Sequence, residues 1–229
     1  MTSQQRIVIG HLGEIGRAIY KIFDADKGID ENEISDFPED NDNIILHICI
    51  PYNMNFTTIV IDYIKDLKPI LTIIHTTCKP GTTQMIYQSL NKKFPIVHCP
   101  INGKHPSMEP DIRKYTMFVG AIKEEHGQMA CEYIEWYNIN TYLCESPEIT
   151  EISKIASTEL LRVNIEFYQQ MKKKIQQKNL NWAEFIAFME NIMDKGTVYK
   201  RVYQRAGRID TPLSRKHCIS ENKKIKTKN

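Results

Sequence analysis

The chain has 229 residues, of which 41% are hydrophobic and 25% charged, and its net charge is +2. This composition excludes extended disorder and is typical of a globular protein with two units. No apolar run approaches the roughly 20 residues that a membrane-spanning helix needs, and no signal peptide is recognisable. We therefore expect a cytoplasmic protein without a membrane partner.

The first predicted strand, Arg6–Ile9, leads into a glycine-rich turn and then into a helix with one apolar face. Glycines in such a turn let backbone N–H groups approach a pyrophosphate, and the helix N-terminus favours its negative charge. The spacing G-x-x-G-x-x-G therefore predicts a dinucleotide site; the alternative is that the glycines only permit close packing of helix on strand. The predicted cofactor-binding residues of the turn are Gly10, His11, Leu12, Gly13, Glu14, Ile15 and Gly16.

Asp30 lies about twenty residues past the first glycine, at the end of a weakly indicated second strand. An acid at this distance holds the adenosine ribose diol in dinucleotide-binding folds. A carboxylate there would repel a 2′-phosphate, so the sequence favours NAD over NADP.

The next segments alternate between strand and helix patterns. The predicted strands are 44–50, 70–75, 95–98, 116–120 and 141–143, and the predicted helices are 56–67, 83–90 and 128–136. This alternation predicts an α/β fold with a doubly wound, Rossmann-type parallel sheet, followed by a small α-helical domain.

Long amphipathic patterns replace the strands after Ile149, over residues 149–174 and 182–193. The predicted domains are a dinucleotide-binding Rossmann domain (1–147), a helical, dimerising domain (148–214) and a basic tail (215–229). We interpret the tail as a solvated end rather than a nucleic-acid site. The six cysteines form no C-x-x-C pair, so neither a metal site nor a disulfide scaffold is predicted.

Three further segments carry a family resemblance when they are taken in order. Residues 76–83 read T-T-C-K-P-G-T-T, Ile50-Pro51 closes the preceding predicted strand, and residues 151–158 read E-I-S-K-I-A-S-T. They resemble the S-T-V-P-P-G-T-T segment, the V-P and the start of the central helix of the UDP-glucose/GDP-mannose dehydrogenase family. The resemblance covers about residues 6–170. It implies NAD as cofactor, with Ile50, Pro51 and Thr76 in its site, and a homodimer formed through residues 149–174.

The resemblance also suggests catalytic residues. The family helix carries a Lys and, four residues later, an Asn, both lining the reaction centre; here these positions are Lys154 and Thr158. Cys218 lies in a segment similar to the family's G-G-H-C-I-P motif, whose cysteine is a nucleophile. Arg215 and Lys216 replace the two glycines. We therefore expect a truncated relative that lacks the family's nucleotide-sugar-binding domain.

A polar segment after the strand at 95–98 offers a substrate site, because open α/β sheets bind ligands at the carboxyl ends of their strands. Its candidate residues are Asn102, Lys104 and His105. A Lys and a His there suit an anionic substrate, and the ordinary pKa of histidine suits acid/base work. The alternative is a polar loop fixed by its two prolines.

These features predict an NAD-dependent oxidoreductase acting on a hydroxyl or carbonyl group of a small polar, anionic substrate. Lys154 and His105 would be acid/base groups, Thr77 would place the substrate or a water, and Lys104 would pair with the anion. One alternative is a non-catalytic NAD-binding sensor or assembly protein, which the Thr158 replacement favours. Another is a prephenate- or β-hydroxyacid-dehydrogenase-like reductase.

Overall fold

The structure is a computed structural model that describes residues 4–30, 43–103 and 108–194. The strands are β1 (Gln5–Ile9), β2 (Lys27–Ile29), β3 (Ile44–Ile48), β4 (Leu71–Ile74), β5 (Ile96–His98), β6 (Met117–Ala121) and β7 (Thr141–Cys144). The helices are α1 (Glu14–Ile22), α2 (Phe56–Leu67), α3 (Thr82–Ser89), α4 (Met108–Lys114), α5 (Glu124–Trp136), α6 (Pro147–Gln177) and α7 (Trp182–Asp194). None of the helices in the described ranges is long and apolar enough to cross a membrane.

The seven described strands form one sheet in the order β2-β1-β3-β4-β5-β6-β7. The first five strands of this order run parallel, with Ile9 paired to Ile29 on one side and to Ile48 on the other. The predicted α/β class and Rossmann-type sheet are confirmed. The carboxyl ends of these five strands therefore lie at one edge of the sheet, which carries the candidate site.

Both faces of the sheet are covered, which explains the continuous apolar run of β3. All five residues of β3 are buried. On one face α2 packs through Phe56, Val60 and Ile64 onto side chains such as Leu46. A strand buried on both faces loses the polar alternation of a half-exposed strand, as the sequence indicated.

One part of the sheet differs from the all-parallel prediction. β6 pairs antiparallel to β5, with His98 opposite Gly120, and β7 then runs parallel to β6. The segment between β5 and β6 leaves and re-enters the sheet at the same edge, and its helix α4 packs against α1. The direction of β6 follows from this connection, which has no counterpart in a local sequence pattern.

The chain divides into two compact units, with the boundary between Ala156 and Ser157 inside α6. In the second unit, α6 and α7 form a helical hairpin that turns after Gln177. The ring of Tyr168 contacts Phe185, and Trp182 stacks on Phe185 at 5.1 Å. The contact between Tyr168 and Phe185 therefore joins the two helices, and Trp182 packs beside it on α7.

Candidate functional site

A pocket of about 600 Å³ lies at the carboxyl edge of the sheet, against the first turn of α1. We call it the glycine-turn pocket. Its lining residues are Gly10, Leu12, Gly13, Glu14, Ile15, Asp30, Cys49, Ile50, Pro51, Tyr52, Thr76 and Thr77. This edge is where doubly wound sheets bind cofactors and substrates.

The glycine turn brings the helix N-terminus directly to the end of β1. Gly10 has a φ of 84°, in the left-handed region that side chains disfavour, and its N–H donates to the Ile29 carbonyl at 2.7 Å. A Cβ on Gly16 would overlap the carbonyl oxygen of Gly10, so only glycine permits this approach. The first N–H groups of a helix have no partners within it and carry partial positive charge. The turn therefore has the shape and the charge to hold a pyrophosphate.

The structure brings into this pocket all the predicted cofactor residues except His11 and Gly16. The His11 ring packs against Gly28 of β2, where a Cβ would overlap it. Gly16 is buried beneath the turn, where it permits the close packing described above. Cys49 and Tyr52 also line the pocket and were not predicted, although both lie where β3 ends, the position that carries ligand contacts in such sheets.

Asp30 follows β2 at the rim of the pocket. Its Oδ2 accepts a hydrogen bond from the backbone N–H of Leu12 at 3.1 Å. This bond holds the carboxylate beside the glycine turn, which is the relative position of acid and turn that ribose recognition needs.

Another wall of the pocket is formed by residues that follow β3 and β4, and a hydrogen bond links the two segments. The buried Thr76 hydroxyl donates to the Ile50 carbonyl at 2.7 Å, which ties the two strand ends together. The next residue, Thr77, is exposed and lines the pocket. Thr77 is therefore free to turn its hydroxyl toward a ligand while its neighbour holds the backbone.

Lys154 and Asn102, which the sequence analysis assigned separately, lie together. The Lys154 Nζ donates to Asn102 Oδ1 at 3.3 Å, from the first unit's part of α6 to the loop after β5. Lys154 is half-buried, and this burial lowers the pKa of its amine below the ordinary lysine value. An amine that loses its proton more easily is better suited to proton transfer.

The remaining predicted site residues are placed as follows. Lys104, His105 and Cys218 lie outside the described residues. Thr158 is exposed on α6 in the second unit. In the described part of the chain, no three His, Cys, Asp or Glu side chains are grouped as metal ligands would be.

Sequence reasoning missed the role of Glu151, which is fully buried at the start of α6. Its carboxylate accepts hydrogen bonds from the N–H of Gly81, at the end of the loop between β4 and α3 (2.6 Å), and from the N–H of Thr83 in the first turn of α3 (2.9 Å). The available signal was the motif itself, since Glu151 belongs to the E-I-S-K segment and its partners to the T-T-C-K-P-G-T-T segment. The two segments that carry the family resemblance are therefore in contact.

A second contact fixes the start of α6. His98, the last residue of β5, lies with its Nδ1 2.7 Å from the Thr150 hydroxyl and its Nε2 3.1 Å from the Thr76 carbonyl oxygen. Burial lowers the pKa of this imidazole. The carbonyl can only accept, so Nε2 carries a proton and donates to it.

The curated relatives that the comparisons found are UDP-N-acetyl-D-mannosamine dehydrogenases. No family model matches the chain. The UDP-N-acetyl-D-mannosamine dehydrogenase of Methanocaldococcus jannaschii is 27% identical over 130 residues, which are 54% of this chain and 30% of that protein. The chain thus matches less than a third of the length of this curated relative.

Solved structures show the same fold. A UDP-D-ManNAc dehydrogenase from Pyrococcus horikoshii superposes with a TM-score of 0.69 at 16% identity, covering 82% of this chain and 58% of that one. A 3-hydroxyisobutyrate dehydrogenase from Mycobacterium tuberculosis gives 0.65 at 12% identity, over 82% and 71% of the two chains. The resemblance to nucleotide-sugar dehydrogenases that the motifs predicted is confirmed.

Proposed function

We propose that this chain, which is related to the nucleotide-sugar dehydrogenases, is a cytoplasmic NAD-dependent oxidoreductase acting on a hydroxyl or carbonyl group of a small polar, anionic substrate. The glycine-turn pocket carries the proposal. Residues predicted from four separate parts of the sequence to hold a dinucleotide (the glycine turn, Asp30, Ile50–Pro51 and Thr76) line this one cavity. A structural role for the glycines alone would not require Asp30 and Thr76 to meet there.

The cofactor would lie along the carboxyl edge of the sheet. The first turn of α1 would hold the pyrophosphate, and Asp30 would accept hydrogen bonds from the adenosine ribose hydroxyls. The wall formed by Ile50, Pro51 and Thr76 would direct the far end of the dinucleotide toward Thr77. Bound NAD supplies an acceptor for the hydride that leaves the substrate carbon.

The protein's own part in the reaction is proton transfer and orientation. The Lys154 amine, when it is unprotonated, would take the proton of the substrate hydroxyl as the carbon loses its hydride, which leaves a carbonyl group. Asn102 would hold the amine in place, and Thr77 would orient the substrate oxygen. Lys104 and His105 follow Asn102 directly in sequence and remain our candidates for anion pairing and acid/base work. Cys218 remains a candidate from its motif alone.

The test is equilibrium binding of NADH and NADPH to the purified chain, followed by nicotinamide fluorescence. We expect NADH to bind more tightly than NADPH. The Asp30→Ala variant should weaken NADH binding about tenfold, the order expected for hydrogen bonds to a charged group, and should reduce the preference over NADPH. Asp66→Ala removes an exposed carboxylate from the far end of α2 and is the matched control. Failure of the wild-type chain to bind either dinucleotide would refute the proposal.

A second candidate function is a non-catalytic NAD-binding protein. Thr158 stands where the related dehydrogenases carry an Asn that lines the reaction centre, so one member of the reaction centre is changed. Such a protein would bind NADH through the same pocket but would show no turnover. A β-hydroxyacid- or prephenate-dehydrogenase-like reductase would differ from the first proposal only in its substrate.

A further inference from the structure

Glu151 joins α6 to the loop that forms one wall of the glycine-turn pocket. Its Oε2 accepts from the Gly81 N–H at 2.6 Å, and its Oε1 accepts from both the N–H (2.9 Å) and the hydroxyl (2.7 Å) of Thr83. The Cys78 thiol lies 3.6 Å from Oε1. One fully buried carboxylate therefore caps the start of α3 and holds four groups of the preceding loop and the first helical turn, about seventy positions earlier in sequence.

The chemistry of these contacts requires a carboxylate. Both oxygens of Glu151 face N–H donors, one at Gly81 and one at Thr83. A glutamine in this position has one acceptor oxygen and one NH₂ group, so in either orientation it sets a donor against a donor. A carboxylate presents an acceptor to both sides, and charge-assisted bonds are about twice as strong as neutral ones.

The position of Glu151 links this cap to the reaction centre. Lys154 follows three residues later, on the same side of α6, and its amine reaches Asn102. On the loop side, Cys78 directly follows Thr77, which lines the pocket. The same carboxylate thus connects the helix that carries Lys154 to the loop that carries Thr77. It fixes how α6 is turned about its axis and how far along that axis it lies relative to the loop.

We propose that Glu151 is a positioning residue that sets the Lys154 amine and the part of the glycine-turn pocket wall formed by Thr76 and Thr77 in one fixed geometry. This inference deepens the proposed function and rests on it, because it takes Lys154 as the group that meets the substrate oxygen. It predicts that loss of the carboxylate moves Lys154 out of its half-buried position, even though the two side chains share no hydrogen bond in the structure.

The experiment measures how fast the Lys154 amine of the full chain reacts with acetic anhydride across a range of pH, with each lysine followed by mass spectrometry. The midpoint of such a profile is the pH at which the amine reacts at half its maximal rate. In the wild type, the midpoint for Lys154 should lie below that of an ordinary lysine because the amine is half-buried. In Glu151→Gln, the midpoint should rise toward the ordinary value and the rate at high pH should increase several-fold. Glu148→Gln, an exposed carboxylate on the same helix, is the matched control and should leave the profile unchanged.

The sign of the change separates positioning from simple electrostatics. Removing a nearby negative charge without moving the amine would lower its midpoint, so a fall in Glu151→Gln overturns the proposal. An unchanged midpoint in folded Glu151→Gln also overturns it. Ile64→Val, a core variant on α2, tests general destabilisation and should leave Lys154 as it is in the wild type.

Thr83→Val provides a second route if Glu151→Gln does not fold. It removes one hydroxyl donor from the carboxylate and keeps the backbone N–H, so the Lys154 midpoint should rise by a smaller amount. The profile is measured without cofactor. A wild-type chain that fails to bind NADH would therefore refute the proposed function, whereas the Lys154 profiles decide the role of Glu151 independently.

Discussion

Gly13 and Gly16 belong to one turn but have different surroundings. A Cβ on Gly16 would overlap backbone atoms of Gly10 and His11, whereas a Cβ on Gly13 would meet only the Gly10 carbonyl oxygen, at 3.3 Å, from a position that lines the pocket. Gly16→Ala should therefore lower the free energy of unfolding by about 1–3 kcal/mol, as overpacking does. Gly13→Ala should change stability less and weaken NADH binding more. Urea unfolding and NADH fluorescence measure the two effects, and equal losses of stability would contradict this division.

A substitution of Lys154 distinguishes an NAD-dependent enzyme from a non-catalytic NAD-binding protein. Lys154→Ala should bind NADH within about twofold of the wild type, because its side chain does not line the glycine-turn pocket. If the protein is an enzyme, turnover should fall by about 10²–10⁴-fold, the usual contribution of a general acid or base. The measurement is NADH formation with a panel of hydroxy acids and sugars, with the exposed Lys65→Ala on α2 as control. Loss of NADH binding in Lys154→Ala would show that the amine belongs to the cofactor site instead.

The residues of the glycine turn were predictable because their requirement is local. A backbone that must approach a pyrophosphate closely allows few residue types at the closest positions. The spacing of the strand, the glycines and the acid along the sequence therefore indicates the site. Glu151 was not predictable in the same way, since its partners lie about seventy positions earlier and no local pattern distinguishes a buried glutamate on a helix from a solvated one. The family motif contained the residue but not the contact.

At the scale of elements, a buried chain of hydrogen bonds crosses from α5 through β3 and β4. Tyr133, His47 and His75 follow one another with separations of 2.9 Å, and His75 Nδ1 lies 2.8 Å from the Cys99 carbonyl oxygen. The carbonyl can only accept, so His75 Nδ1 donates to it. His75 Nε2 must then accept from His47 Nδ1, and His47 Nε2 accepts from the Tyr133 hydroxyl. With both imidazoles neutral, as their burial favours, each bond of this chain has one donor and one acceptor.

This chain predicts loss of stability in mild acid. Burial lowers the pKa of His75 from 6.5 to about 4, and it also lowers the pKa of His47 well below the ordinary histidine value. Between these values the unfolded chain binds protons that the folded protein does not, so the free energy of unfolding should fall as pH decreases from about 6.5 toward 4. The full shift of His75 alone corresponds to about 3 kcal/mol. Urea unfolding at several pH values measures this slope.

The control for the acid prediction is the double variant H47L/H75L. It replaces both imidazoles with apolar side chains. Carboxylates also contribute to the change in the free energy of unfolding between pH 4 and 6.5, and the double variant should remove most of the remainder. An equally steep slope in this variant would show that the histidine chain is not responsible.

Elements with one strongly amphipathic face were predicted well, and the orientation of strands was not. Helix α2 spans Phe56–Leu67 as predicted, because its buried residues recur at helical spacing. Helix α4 was missed because it is short and contains Pro110, which reads as a loop residue next to other prolines. The strand β6 was predicted at 116–120, but its antiparallel direction was not, since a strand's direction depends on where its connection re-enters the sheet.

At the scale of the whole molecule, the second unit raises the question of what covers its apolar side chains. Leu160, Leu161, Val163 and Ile165 of α6 are all exposed by more than 45% in the described part of the chain. Exposed apolar side chains clustered on one element are typical of an interaction surface. Together with the family resemblance, this favours the homodimer through residues 149–174 that the sequence predicted, and we propose that a second copy of the chain covers this helix.

This proposal makes a direct prediction in solution. The wild-type chain should sediment as a dimer at micromolar concentration. Leu161→Glu should shift it toward the monomer, because burying an unpaired charge in an apolar interface costs more free energy than the apolar contact contributes. Gln170→Glu adds the same charge at another exposed position of α6 and should leave the dimer intact. A monomeric wild type would contradict the proposal, and so would a dimer unaffected by Leu161→Glu, which would place the interface elsewhere. NADH binding should persist in Leu161→Glu, since the glycine-turn pocket is built wholly from residues 10–77 of the first unit.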